Sequence, residues 1–299
     1  FIGLAFLSIS AFWQLYDNII PLILQNTFEI GETLTGAIMA VDNVLALFLL
    51  PLFGSLSDRV NTKLGKRTPF ILAGTVIAVL SMTLIPIADQ TKNFTLFFIS
   101  LGVVLLAMSS YRSPAVALMP DLTPKELRSK ANSIINLMGA VGAIITLAMI
   151  SILIPKTTHP NYTKIFSSVS ALMIISITIL LITIREKRLA LTYLYLYFLY
   201  VLFSNDNIAP EKEHIKNTNK DMSMPKDVKR SLYFILASIF LWFVAYNAVT
   251  TAFSRYAVKV WNLQGGSFAN ALMVATGAAI LAYIPIGIIS TNIGRKKTI

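Results

Sequence analysis

Three ionisable side chains fall where hydrocarbon would surround them. Asp17 and Asp42 lie in the first and second of a series of long apolar runs, and Arg112 lies in the fourth. A charge at the centre of a membrane-spanning helix costs about 3 kcal/mol on insertion scales, so each marks either function or a polar partner. Counting helical rise from the run ends puts Asp17 roughly 10 Å and Asp42 roughly 13 Å from the same boundary, so adjacent antiparallel helices would bring both acids to one cavity. Repulsion and desolvation would then hold a proton between them, or a cation would sit there; the plainer role for each is a neutral, hydrogen-bonded structural group. Arg112, roughly 12 Å from the opposite boundary, must face a cavity or a partner unless it snorkels outward. We expect Asp17 and Asp42 to be the ion-coupling pair; by depth Arg112 is a poor direct partner for Asp17.

Trp13, Gln14 and Asp17 share one helix face through their three- and four-residue spacings. An aromatic plate beside an amide and an acid suits a sugar: the ring meets C–H groups and the polar groups bond hydroxyls. The pattern recurs. FWQLYD (12–17) aligns without a gap on WFVAYN (242–247), which adds Trp242, Tyr246 and Asn247 to Tyr16 as candidate contacts, and Asn136 supplies another amide in the fifth run. Simple packing is the competing use of such aromatic stripes, as it is for Gly139-x-x-Gly142.

The elements that carry these residues follow from composition. Of 299 residues, 56% are hydrophobic and 13% charged, in apolar blocks near twenty long. Such blocks predict bilayer-spanning helices at roughly 1–24, 33–56, 69–89, 94–120, 131–155, 162–184, 231–253 and 267–290. Sustained alternation at period two is missing, which disfavours a membrane barrel. The chain has no cysteine and only His159 and His214, far apart, so thiolate and histidine metal sites and cysteine nucleophiles are excluded; no cofactor beyond a coupling ion, H⁺ or Na⁺, and no enzymatic activity are expected.

The net charge of +11 belongs to topology rather than to nucleic acid. With the segment after the second run in the cytoplasm, nineteen Lys and Arg fall inside and five outside, which makes the N-terminal end of helix 1 and the central loop cytoplasmic in a multi-pass cell-membrane protein. LALTYLYLYFLYVLF (189–203) is too short to span and is flanked by basic segments, so it is read as interfacial. The expected organisation is a six-helix half (1–188), a cytoplasmic linker (189–230) and the start of a second half (231–299).

GSLSDRVNTKLGKRTPF (54–70) sets cations and an acid between two glycines. Gly54 permits close helix approach, and Asp58 can pair with Arg59 or Arg67 or cap a neighbouring helix, in contacts able to break and reform as a latch. This G-x-L-S-D-R…G-K-R pattern, with a degenerate copy ending S-T-N-I-G-R-K-K after helix 8, resembles the signature loop of the major facilitator superfamily. Within it, MAVDNVLALFLLPLFGSLSDR, GKRTPFILAGT and YRSPAVALMPDL are similar to bacterial relatives of sucrose transporters and of glycoside–pentoside–hexuronide:cation symporters. Two departures stand out: four extra residues between Arg59 and Gly65, and Thr291-Asn292 in place of Asp-Arg.

The resemblance implies an all-α polytopic bundle, half of a twelve-helix plan plus two helices, with the remaining four absent from a C-terminally incomplete chain. It also implies sugar:cation symport by alternating access across the lipid bilayer, coupling through an arginine at the place of Arg112, and a latch of Gly54, Asp58, Arg59, Gly65 and Arg67. The rival expectations are a drug or metabolite antiporter of the same fold and a membrane fragment that transports nothing.

Overall fold

A computed structural model describes residues 1–124, 127–157, 160–184, 186 and 226–293. The segment 189–203, most of the expected linker, His159 and the basic cluster after helix 8 lie outside the described residues. Eight helices are present: α1 (Gly3–Asn26), α2 (Glu32–Arg59), α3 (Thr68–Gln90), α4 (Phe94–Asp121), α5 (Arg128–Leu153), α6 (Thr163–Thr183), α7 (Lys226–Val260) and α8 (Phe268–Ile293). Among the described residues there is no strand, and seven helices are long and apolar enough to cross a bilayer. The chain forms two compact units, residues 1–187 with 251–299, and residues 188–250.

In the first unit α1 is the central helix, with sixteen buried residues, and its few polar side chains such as Ser8 and Asn18 are hydrogen-bonded within the bundle. It packs mainly on α5, while α3 packs mainly on α4. Small residues set both approaches. A Cβ on Gly142 would run into the Leu7 backbone and one on Gly139 would meet Ser10 Oγ at 2.9 Å, so the Gly139-x-x-Gly142 stripe is a backbone-to-backbone contact with α1. Gly74 of α3 likewise leaves no room for a Cβ beside Ala107 O and Ser110 of α4.

Buried polar groups pin the helices where lipid and packing supply no water. Tyr111 of α4 is fully buried, donates to Ala5 O of α1 at 2.9 Å and shares a hydrogen bond with Ser8. At the far end of α3, Asp89 accepts from Thr27 Oγ1 after α1 at 2.5 Å, and Gln90 Nε2 donates to Thr163 Oγ1 of α6 at 2.6 Å. The α3–α4 connection is three residues long: Lys92 takes φ 51°, and Asn93 caps α4 by accepting from Leu96 N at 3.0 Å.

Helix α7 runs to Val260, two turns beyond the predicted end at 253. The residues SRYAVKV contain neither Gly nor Pro, and the helix ends only before Asn262 and Gly265, both at positive φ. Arg255 and Lys259, expected at an outer rim, are therefore on helix, and Lys259 pairs with Glu32 at the start of α2. Both side chains of that pair are exposed, and it stabilises little.

Candidate functional site: a polar hollow and a charged clamp

Trp13 of α1, Asp42 and Asn43 of α2, and Ser109 and Arg112 of α4 line a small hollow of about 30 Å³, partly open to the surface and with room for a water molecule. Asp42 and Arg112 line it from α2 and α4, which run parallel and end together at Arg67, and Trp13 lines it from α1. Asp42 Oδ1 accepts from Asn43 Nδ2 at 2.8 Å, the Asp42–Asn43 bond anticipated from their adjacency. The Arg112 guanidinium carbon lies 5.8 Å from the Trp13 ring centroid, within cation–π range. Asp42 and Arg112 thus face the same hollow from neighbouring helices. Asp17 itself is half-buried beside the hollow and is not part of its wall.

The remaining expected contacts are distributed unevenly. Trp13 faces the hollow, and its buried Nε1 has no hydrogen-bond partner. Gln14 is half-buried and its amide oxygen accepts from Asn18 Nδ2 at 3.1 Å, a bond within α1. Tyr16 is 2% exposed, packed on Phe12 and Trp13 in the core, with its hydroxyl unpaired. Asn136 is exposed on α5 and is not among the residues that line the hollow. Among the described residues no three His, Asp or Glu side chains gather as a metal site.

Trp242, Tyr246 and Asn247 belong to the second unit, where all three are exposed. Their rings repeat the α1 arrangement. Phe12 and Trp13 meet edge to face at 5.1 Å and 75°, Trp242 and Phe243 at 4.9 Å and 83°. Phe12 and Tyr16 stack at 6.0 Å and 27°, Trp242 and Tyr246 at 5.6 Å and 19°. The sequence echo is thus also an echo of side-chain geometry.

The second polar centre sits where α2 ends and α3 begins. Arg67 is buried; its Nη2 donates to Asp58 Oδ1 at 2.5 Å, its Nε to Asp121 Oδ2 at 2.9 Å and its Nη1 to Ser57 Oγ at 2.5 Å and Gly54 O at 3.3 Å. Of the two partners open to Asp58, the structure selects Arg67; Arg59 is exposed. Gly54 provides the expected close approach, since a Cβ there would lie 3.1 Å from Ser113 Oγ of α4. The extra residues of the loop form a turn in which Thr62 and Gly65 exchange backbone hydrogen bonds at 3.2 Å, with Gly65 at φ 124°, a conformation only glycine adopts readily.

Asp121, Ser57 and Glu186 escaped the sequence reading. Asp58 and Asp121 both occupy the last turn of a helix, where the macrodipole disfavours a carboxylate unless a cation compensates. That position was the available signal for Asp121. Glu186, just past α6, is buried and takes the backbone N–H groups of Lys66 (2.8 Å), Arg67 (3.1 Å) and Thr68 (2.9 Å), together with Thr68 Oγ1 (2.7 Å). Its signal was a lone acid in REKR, which local charge balance already explains.

Comparison with known proteins agrees with this architecture. The chain is similar to a sucrose transport protein of Arabidopsis thaliana (25% identity over 152 residues, 44% of this chain and 25% of that protein). It is also similar to one of Oryza sativa subsp. indica (30% over 153 residues, 44% and 30%) and to a human proton-associated sugar transporter (30% over 134 residues, 41% and 18%). The matched stretch spans less than a third of the length of each of these curated relatives. The sequence pattern of the Major Facilitator Superfamily matches residues 2–299. With its membrane-length helices, its signature loop clamped by Arg67 and this match over nearly its whole length, the chain belongs to the Major Facilitator Superfamily.

Proposed function

We propose that the protein is a secondary transporter that moves a sugar together with H⁺ or Na⁺ by alternating access. The observation that carries the reading is the hollow in which Asp42, Arg112 and Trp13 converge, with Asp17 one helical turn along α1 from Trp13. Asp17 and Asp42 carry or exchange the ion, Arg112 answers their charge state, and Trp13 offers its indole to a sugar ring. Gln14, Asn136, Tyr246, Asn247 and Trp242 complete the sugar contacts in other states of the cycle, while Tyr16 supports Trp13 from the core. The related sugar transporters support the substrate class. The excess of Lys and Arg on one side supports a cell-membrane orientation with the Arg67 end cytoplasmic.

A cation-exporting antiporter of the same fold is the rival. Vesicles containing the intact transporter, given labelled sucrose and an imposed inward H⁺ or Na⁺ gradient, are expected to accumulate the sugar above its external concentration. Export of a lipophilic cation with no sugar uptake would overturn the proposal.

A further inference from the structure

Glu186 does more than end a helix. Its two carboxylate oxygens bind three consecutive backbone N–H groups centred on Arg67, and they come from α6 rather than from α3 itself. The Thr68 hydroxyl adds a fourth donor, and Gly65 lies so close that the space for its Cβ is already filled by the Glu186 side chain. Charge-assisted bonds of this kind are about twice as strong as neutral ones. The carboxylate also meets the positive end of the α3 dipole. Arg67 then reaches with its side chain to Asp58 of α2 and Asp121 of α4. One residue is therefore gripped twice, by its backbone from α6 and by its side chain from α2 and α4.

We propose that Glu186 is a positioning residue for the Asp58–Arg67–Asp121 cluster. By fixing the Arg67 backbone it holds the guanidinium where one fork can bridge two helix ends, and it makes the end of α6 a working part of the latch. The geometry separates the roles. Glu186 makes no hydrogen bond to the Arg67 guanidinium, so its bonds act on the cluster through the placement of the Arg67 backbone. The proposal rests on the latch reading, and its test distinguishes the two.

The chain contains no cysteine, so Ser109→Cys places a single thiol of this chain on the wall of the hollow. The rate at which a membrane-impermeant maleimide labels it from the Arg67 side reports opening at that end in the intact transporter. Arg67→Ala, Glu186→Ala and Glu186→Gln are each expected to raise that rate, by about five-fold or more for the alanine variants, the lower range of a conformational coupling. Glu186→Gln, which keeps one acceptor oxygen, is expected to fall between Glu186→Ala and the parent. In the Arg67→Ala background Glu186→Ala should add nothing further, because both act through one cluster. Should Glu186→Ala fold poorly, Thr68→Val removes only the hydroxyl bond and should shift the rate in the same direction.

Lower melting temperature with unchanged labelling, or additive effects of Arg67→Ala and Glu186→Ala, would show that Glu186 serves the fold alone and overturn the proposal. An Arg67→Ala variant that labels like the parent would overturn the latch reading and this proposal with it.

Discussion

Asp17→Asn is expected to abolish uphill accumulation of substrate, by about 100-fold or more, the scale on which losing a proton-carrying side chain acts. It should leave exchange of labelled for unlabelled substrate across the membrane within a few-fold of the parent. The argument is structural. An amide in place of the carboxyl group would keep the size and hydrogen-bonding capacity of the side chain but could neither bind a proton nor neutralise a cation. Asp17 is half-buried on α1, one helical turn from Trp13, and its charge has no salt-bridge partner among the described residues. Asp42 differs, since its Oδ1 accepts from Asn43 Nδ2. Exchange needs only the substrate site and the conformational change, whereas accumulation needs the ion. Counterflow measured beside net uptake separates them, and loss of both to the same extent would assign Asp17 to structure.

Arg67→Ala carries the second large effect. It removes a guanidinium that serves Asp58, Asp121, Ser57 and the Gly54 carbonyl, and leaves two acids at the unfavourable ends of α2 and α4. Their side chains are 61% and 44% exposed, so water takes up part of the loss, and the cost to folding is about 1–2 kcal/mol rather than the 3–5 of a fully buried pair. The transport cycle suffers more, because a closed state held by that cluster loses its tie. Transport is expected to fall about ten-fold or further. Arg67→Lys should rescue little of it: three nitrogens of one planar fork face four different partners, a geometry that an ammonium cannot reproduce. Initial transport rates of the two variants check this, and a lysine variant working at the parent rate would contradict the bridging role.

Much of this molecule was legible in its sequence because a bilayer imposes simple rules. Blocks of twenty apolar residues gave α1 to α6 to within a few residues, and the end of α7 was misplaced only because polar residues were taken for a loop that nothing in SRYAVKV breaks. Depth along a helix is also arithmetic, but depth alone did not place the acids: Asp42 lines the hollow and Asp17 does not. The Asp58–Arg67 pair was open to inference, since an acid at a helix end followed by cations leaves few partners.

Facing and long-range pairing were harder. Periodicity grouped Trp13, Gln14 and Asp17 on one face but did not say that Tyr16, one residue from Asp17, would be turned into the core. Arg112 over the Trp13 ring depends on how α4 crosses α1, which no local pattern encodes. Asp121 and Glu186 meet Arg67 across 54 and 119 residues of chain. Only assembled helices bring such groups together, and REKR read alone looks like a solvated charge run.

Ion movement driven by substrate tests the central claim most directly. Vesicles containing the intact transporter, with no ion gradient imposed, would receive sucrose from outside while internal pH and internal Na⁺ are followed together. The account predicts that sugar entry draws one of these ions inward in fixed proportion, and that the ion signal vanishes in Asp17→Asn. Sugar entering with neither ion, or an ion signal of equal size in the Asp17→Asn variant, would contradict it.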